Sequence, residues 1–491
     1  MIDEERLSIC HECVSDKFLK KEIQAKGKRG KCSYCKKARK IIKLTWLAER
    51  IHSAFEEHFY LTSDEPTPLE SALLSDNESD YDWERHGEPV NVLIQDIAGV
   101  NEDVANDVQE YLSFYFGGDP EDFEENPYGD EACYEESSPD KYTFQESWDF
   151  FCQEIRYRAR FFSQSAEEIL DELFSDLYSL RTFDGKSVIR GAGPGTENPD
   201  IFKARVSQSQ DTLDLILKNP VQELGAPPSR SSKHGRMNAA GISVFYGATD
   251  AETCVAEVRP PVGSHVVVGR FQIIRDIRLL DLNILSQVYV EGSYFDPEFK
   301  GRKEHAAFLQ RLVGELTKPV MPDEETFGYL PTQVVAEYLA EKVKPRLDGI
   351  IFNSSQTQDQ GQNIILFHNS CGVEPYKLPT GTTVSINYVR STDADCDDRI
   401  TVFEELPNGS QGERHETTNE TEFQDDWFNC RDITLRLDVN KDVDVMVITG
   451  SKYQSHKINT SRYRHKKAAT NLKRDTSRHF GSMAISQSSK I

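Results

Sequence analysis

Four cysteines near the N-terminus, Cys10, Cys13, Cys32 and Cys35, fall as two C-x2-C pairs with 18 residues between them. Four thiolates can enclose Zn²⁺ tetrahedrally, and two close pairs at this separation suit a closed structural site with no coordination position left for catalysis. The stretch between the pairs, KKEIQAKGKRGK, is too poor in apolar residues to build a core of its own. The metal is expected to take that place. His11 lies inside the first pair, but two complete pairs need no histidine ligand.

A second set of chemistry-bearing residues is spread between positions 200 and 370. Phe202-Lys203-Ala204-Arg205-Val206 carries two cations at i and i+2, on one face if the segment is a strand. Gly235-Arg236-Met237-Asn238 is followed by Gly241, the run Ile242-Ser243-Val244-Phe245-Tyr246, and Glu257 within the expected helix AETCVAEVR. Gly349-Ile350-Ile351-Phe352-Asn353-Ser354-Ser355 is followed by Gly361-Gln362-Asn363. One carboxylate, several cations, a tyrosine and a serine on strand ends suit a ligand that carries phosphates and a ring. Asn238 and Asn363 are candidates for shaping turns or touching that ligand, with turn formation first for Asn238.

The elements that must position these residues are visible in the hydrophobic periodicity. Residues 41–60 read as an amphipathic helix through Ile42, Leu44, Trp46, Leu47, Ile51 and Phe55. Phe144, Trp148, Phe151, Ile155, Ala159 and Phe162 make one later helical stripe, and Ile169, Leu170, Leu173, Phe174 and Leu177 a second. Residues 41–182 are therefore expected to be mostly helical. From 183 to 391, β-like runs (ISVFYGA, SHVVVGRFQII, DGIIFNSS, NIILFH) alternate with helical segments at 302–317 and 331–342, which predicts a mixed α/β domain. The expected organisation is an α+β multidomain chain. It comprises a zinc ribbon at 1–40, an acidic helical domain at 41–182, the α/β domain at 183–391, an unassigned extension at 392–450 and a basic, disordered tail at 451–491.

Taken in order, the second set resembles the RES-domain toxins of bacterial toxin–antitoxin systems. GRMNAAGISVFYGATDAETCVAEVR is similar to that family's central block, FKARV to its opening cationic strand, and DGIIFNSS with GQNIILF to its closing Ser-bearing strand. YLPTQVVAEYLA resembles the helix preceding that strand in longer members. The N-terminal part, with its zinc ligands and the string WDFFCQEIRYRARFF, resembles the HEPN-like domain of long RES proteins. The resemblance implies an ADP-ribosyltransferase-like fold and cleavage of the nicotinamide–ribose bond of NAD⁺, with phosphate or water as acceptor. It assigns Glu257 to the cationic ribose, Tyr246 to the nicotinamide ring, and Arg236 with Lys203 and Arg205 to the pyrophosphate. It also assigns Ser354 to a phosphate or ribose oxygen, with Ser355 as the neighbouring alternative. A helix-turn-helix antitoxin that plugs the site is the partner it implies.

Two departures bear on the expectation. Lys203 stands where many members have Arg, which replaces a planar fork by a point charge. Ser207 to Lys233 reads as an inserted lid or loop. HEPN ribonucleases use Arg-x4–6-His, and Arg50 to His58 is too long for that, so the helical domain is expected to mediate interaction or dimerisation.

The 491-residue, 55.9-kDa chain has a net charge of −25, 37% hydrophobic residues and a mean hydropathy of −0.58. Residues 61–150 hold 26 acids and two bases, whereas 451–491 hold ten bases and one acid. That balance argues against a nucleic-acid binder. No segment approaches the roughly 18–20 apolar residues needed to span a bilayer, and MIDEERLSIC has no signal-peptide character. A cytoplasmic chain follows, with its ten cysteines reduced or metal-bound. A strand–GxGxxG–helix unit is absent, which removes a Rossmann dehydrogenase. Two rival functions are an ADP-ribosyltransferase acting on a protein or nucleic acid and a non-catalytic interaction protein.

Overall fold

The computed structural model describes residues 7–76, 80–118, 125–140, 142–318, 320–357, 360–389, 399–407 and 431–450. The basic tail at 451–491 lies outside them.

The N-terminal segment pairs strands β1 (Ser8–Cys10), β2 (Lys28–Lys31) and β3 (Ala38–Lys43) in the antiparallel order β1-β3-β2. Between β1 and β2 the Lys-rich stretch forms helix α1 (Lys17–Lys26), whose first N–H groups are capped by the Asp16 carboxylate. Leu19 and Ile23 of α1 are fully buried against Ile9, Leu44, Leu47 and Ile51. A metal held by the four cysteines would therefore supplement a shared apolar core and not substitute for one. Ile42, read in sequence as helical, lies in β3 opposite Ile9.

Helix α2 (Leu44–His58) follows, then β4 (Phe59–Leu61), α3 (Pro68–Leu74), β5 (Glu88–Pro89), α4 (Val90–Ala98), α5 (Glu102–Phe116) and β6 (Cys133–Glu136). The apolar stripes of α2, α4 and α5 bury one another, and β4-β6-β5 form a small antiparallel sheet beside them. Helices α6 (Thr143–Tyr157) and α7 (Gln164–Phe174) instead bury Trp148, Phe151, Ile155, Leu170 and Leu173 with residues of the α/β segment. The aromatic stripe is shorter than its periodicity predicts: α6 stops at Tyr157, and Phe162 is 99% exposed.

The remaining elements are β7 (Arg181–Thr182), β8 (Ile189–Ala192), β9 (Asp200–Ser207), α8 (Gln210–Lys218), α9 (Pro220–Leu224), β10 (Phe245–Ala248), α10 (Ala251–Glu257), β11 (His265–Ile273), β12 (Ile277–Asp281), α11 (Leu282–Leu285) and β13 (Val288–Tyr289). They continue with α12 (Phe299–Thr317), α13 (Glu325–Gly328), α14 (Leu330–Glu341), β14 (Gly349–Asn353), β15 (Gln362–Leu366), β16 (Gly372–Val373), β17 (Thr383–Val389), β18 (Arg399–Glu405), β19 (Ile433–Leu437) and β20 (Val443–Val447). A ten-stranded mixed sheet runs β16-β19-β11-β9-β10-β15-β14-β12-β8, with β20 also paired to β11. The segment at 433–447, unassigned in sequence, thus completes this sheet. Of the stretch Ser207 to Lys233, read as a lid or loop, the part up to Leu224 is α8 and α9, with Leu213, Ile216, Leu217 and Leu224 buried.

One face of the sheet, carrying Ile201, Phe245, Val267, Phe271, Ile364 and Leu366, packs on α8 and α9. The other face carries two packed blocks. Helix α10 covers Ala204, Ala248, Val266 and Val268, whereas α12 and α14 belong to the core that contains Leu280, Ile350 and Ile365. The candidate site lies on this second face, over β10 and β15.

Candidate functional site

Glu257 is the last residue of the seven-residue α10. The helix is started by the Asp250 carboxylate, which accepts from the Thr253 N–H at 2.7 Å and the Thr253 hydroxyl at 2.8 Å. The same first turn is where a neighbouring loop passes closest to the helix. A Cβ at Gly361 would lie 1.7 Å from Thr253 Oγ1, so only glycine lets the β14–β15 loop pass under α10. That loop carries Ser354, which is fully buried, and its hydroxyl donates to Glu257 Oε1 at 2.6 Å. Asn363 Nδ2, on β15, donates to the same oxygen at 2.7 Å. The Gln356 N–H in turn donates to Ser354 Oγ at 3.2 Å, and Ser355 is exposed. One carboxylate oxygen is therefore held twice. The other takes no donor from the described residues.

Tyr246 lies on the same face, two positions along the strand: β10 pairs with β15 as Tyr246↔Ile365 and Ala248↔Asn363. The residue is 38% exposed, but its hydroxyl is held. It donates to Asn238 Oδ1 at 2.8 Å and accepts from the Met237 N–H at 3.1 Å. Burial of that phenol pushes its pKa up to about 12. A Cβ at Gly235 would lie 2.6 Å from the hydroxyl, so glycine is needed there too. Asn238 is buried, and its amide N–H groups go to Lys233 O, Ala239 O and Ile242 O, which builds the turn. Its oxygen orients Tyr246.

Arg236 belongs to this turn. Its Nη1 donates to Leu316 O at 3.2 Å and Lys318 O at 2.9 Å, the carbonyls at the C-terminal end of α12. The guanidinium lies 5.6 Å from the Tyr329 ring centroid. Its charge is near enough to lower the Tyr246 pKa against the effect of burial.

Lys203 and Arg205 do not join them. Phe202 pairs with Ala248 and packs with the α10 cluster, so by strand alternation Lys203 and Arg205 point to the opposite face. There Lys203 Nζ donates to Gly225 O at 2.9 Å and lies 4.5 Å from the Phe245 ring centroid. Burial pushes its pKa down to about 8. Arg205 binds the carbonyl and carboxylate of Glu223. The sequence expectation of one cationic cradle is corrected on this point: these two cations lie behind the sheet.

A cation missed in sequence follows Glu257 by two residues and binds the loop that carries Ser354. Arg259 Nε donates to Gln356 Oε1 at 3.2 Å. Its signal was its position two residues after the carboxylate, inside the quoted block and directly before Pro260-Pro261.

In the N-terminal segment, the sulfurs of Cys10, Cys13, Cys32 and Cys35 lie within 4.8 Å of one another. Cys10 Sγ is 3.6 Å from Cys13 Sγ and from Cys35 Sγ, and Cys13 Sγ is 3.9 Å from Cys32 Sγ. Tetrahedral Zn–S bonds of about 2.3 Å place sulfurs roughly 3.8 Å apart, so the donor set fits structural zinc. Of the ribonuclease-like pair weighed in sequence, Arg50 donates to Phe295 O at 2.6 Å and His58 is buried beside Tyr294 and Phe299. No helix among the described residues is long and apolar enough to cross a membrane.

Residues 212–384 match a family model described as RES domain, and residues 25–169 match one described as HEPN/RES N-terminal domain 1. The first match contains Arg236, Tyr246, Glu257, Ser354 and Asn363, and leaves Lys203 and Arg205 outside. No curated protein and no solved structure matches the chain.

Proposed function

We propose that this long-form RES-domain protein, with its HEPN/RES N-terminal domain, cleaves the nicotinamide–ribose bond of NAD⁺ and passes the ribose to phosphate or water. At the coarse level the RES domain belongs to a toxin–antitoxin-type family of NAD⁺-related enzymes. The observation that carries the finer reading is the state of Glu257. Its Oε1 is held by Ser354 and Asn363, its Oε2 takes no donor from the described residues, and Tyr246 on the same sheet face is 38% exposed.

Breaking the C–N bond leaves positive charge on the ribose, and a carboxylate already oriented there stabilises that charge without reorganising. Nicotinamide departs neutral, so no leaving-group acid is required, and exposed His234 has no role in the scheme. The pinned Tyr246 hydroxyl fixes the ring plane against which nicotinamide stacks. Arg236, with one edge on the α12 carbonyls, turns its remaining N–H groups to the pyrophosphate. The overall fold would then be of the ADP-ribosyltransferase kind. As a toxin the chain requires a neutralising protein that closes this site, and the N-terminal zinc and helical segment is assigned to interaction.

Incubating the zinc-loaded protein with NAD⁺, with and without phosphate, tests the reading through nicotinamide release. Soluble ADP-ribose or its phosphate ester is the expected second product. Label retained on macromolecules would move the assignment to ADP-ribosyl transfer, and absence of nicotinamide in every condition would overturn it.

A further inference from the structure

Arg259 follows Glu257 by two residues and has a φ of +45°, in the left-handed region that side-chain-bearing residues rarely adopt. It ends the turn after α10, its N–H closing on Ala256 O at 3.2 Å. Glycine is the usual residue at such a position, and the following proline narrows the choice of backbone further. An arginine held there against both preferences points to a use for its side chain. That side chain is exposed and pairs with no carboxylate among the described residues. Its Nε donates to Gln356 Oε1; the Gln356 N–H donates to Ser354 Oγ, and Ser354 donates to Glu257. The guanidinium is thus tied to the carboxylate through two hydrogen-bonding residues.

The strand register gives the direction. Tyr246 is level with Ile365, whereas Asn363, which holds Glu257, is level with Ala248, roughly 7 Å further along β15. The loop that carries Ser354 and Gln356 lies beyond that end of β15. Along β15, therefore, Asn363, which holds Glu257, lies between the level of Tyr246 and the loop whose Gln356 binds the guanidinium.

We propose that Arg259 binds the acceptor, an inorganic phosphate dianion, on the side of the ribose opposite the departing nicotinamide, and so selects phosphorolysis over hydrolysis. The assignment rests on the NAD⁺ reading above. A phosphate oxygen forms the new bond to the anomeric carbon as the C–N bond breaks. The bonding pair leaves with the ring nitrogen and cancels its positive charge, so the dianion needs no base. The free edge of the guanidinium matches two phosphate oxygens, whereas neutral water gains little from that charge.

Arg259→Gly removes the guanidinium and suits the positive φ, so loss of folding does not confound it. The expected result is a rise of at least tenfold in the KM for phosphate, with a much smaller change in the KM for NAD⁺ and a larger share of ADP-ribose among the products. Arg259→Lys, which keeps a point charge, should recover part of the phosphate dependence. An Arg259→Gly protein with a phosphate KM within twofold of the unaltered chain would overturn the proposal. So would an unaltered chain that releases nicotinamide at a rate independent of phosphate, an outcome that leaves the NAD⁺ reading standing. No nicotinamide release at all would overturn both.

Discussion

The Ser354 hydroxyl donates to Glu257 Oε1 at 2.6 Å, although 97 residues separate the two in the chain. Asn363 reaches the same oxygen from the next strand. Two donors on one oxygen fix the rotation of the carboxylate, and its second oxygen takes no donor from the described residues.

Replacing Glu257 tests the central assignment. Glu257→Gln keeps the volume and removes the charge. Nicotinamide release should fall by about 10²–10³ or more, the cost of losing one preorganised electrostatic group. The thermal transition should stay close to that of the unaltered chain, and growth toxicity should disappear. A Glu257→Gln protein with full activity would remove the carboxylate from the mechanism.

Ser354 is a positioning residue in this scheme. A hydrogen bond to a charged group is worth about 1.5–3 kcal/mol, or roughly 10–100-fold in rate if fully used in the transition state. Ser354→Ala and Asn363→Ala should each lower kcat within that range and raise the KM for NAD⁺ less. Because both act on one oxygen, their combined effect should differ from the product of the single effects. Strict multiplicativity in a double-mutant cycle would show that the two act independently of each other and not through one shared oxygen.

Gly361 sets the distance between α10 and the Ser354 loop. A Cβ there would sit 1.7 Å from Thr253 Oγ1, so Gly361→Ala must push the two apart. About 1–3 kcal/mol of stability should be lost, together with most of the activity. Adding Thr253→Ala removes the clashing oxygen and should restore part of both. Thermal unfolding and nicotinamide release of the single and double variants check this.

Lys203 is where pH acts on stability through one buried group. Its pKa is pushed down to about 8 from about 10.5 by burial. Between those values the unfolded chain still holds a proton that the folded chain has released, so this group makes stability rise with pH across that window. Lys203→Met removes the buried charge. The variant should be the more stable form at pH 7, and its advantage should shrink between about pH 8 and 10.5. Denaturant unfolding of both proteins at pH 7 and 9.5 measures the gap, and a gap that does not change would contradict a cation buried at this site. A tenfold rise in the KM for NAD⁺ in this variant would contradict its placement behind the sheet.

The four-cysteine cluster should carry one zinc ion per chain. A strong chelator, or Cys10→Ser with Cys32→Ser, should lower the thermal transition, because metal-binding free energy is folding free energy at such a site. Elemental analysis and calorimetry report the two effects separately. An unchanged transition after complete metal removal would make the apolar contacts of Leu19 and Ile23 sufficient by themselves.

Local chemistry was legible in the amino-acid order. Two C-x2-C pairs bring their own sulfurs together through short turns, so spacing alone located the four-cysteine cluster. Periodicity located α12 and α14, and the runs that became β10, β11, β14 and β15. It also showed that Lys203 and Arg205 share a face, because alternation is a property of one strand. Which face that is depends on the pairing of Phe202 with Ala248, a contact between strands that no single strand encodes. The same limit hid the place of 433–447, whose edge pairing with β11 is non-local. It also hid Arg259, whose role depends on a loop almost a hundred residues away. Residue types and their spacing determined what chemistry the chain can do. Sheet register and the glycine contact between α10 and the Ser354 loop decided which of those residues meet, since hydrogen-bond geometry across distant strands is fixed only when the chain has folded.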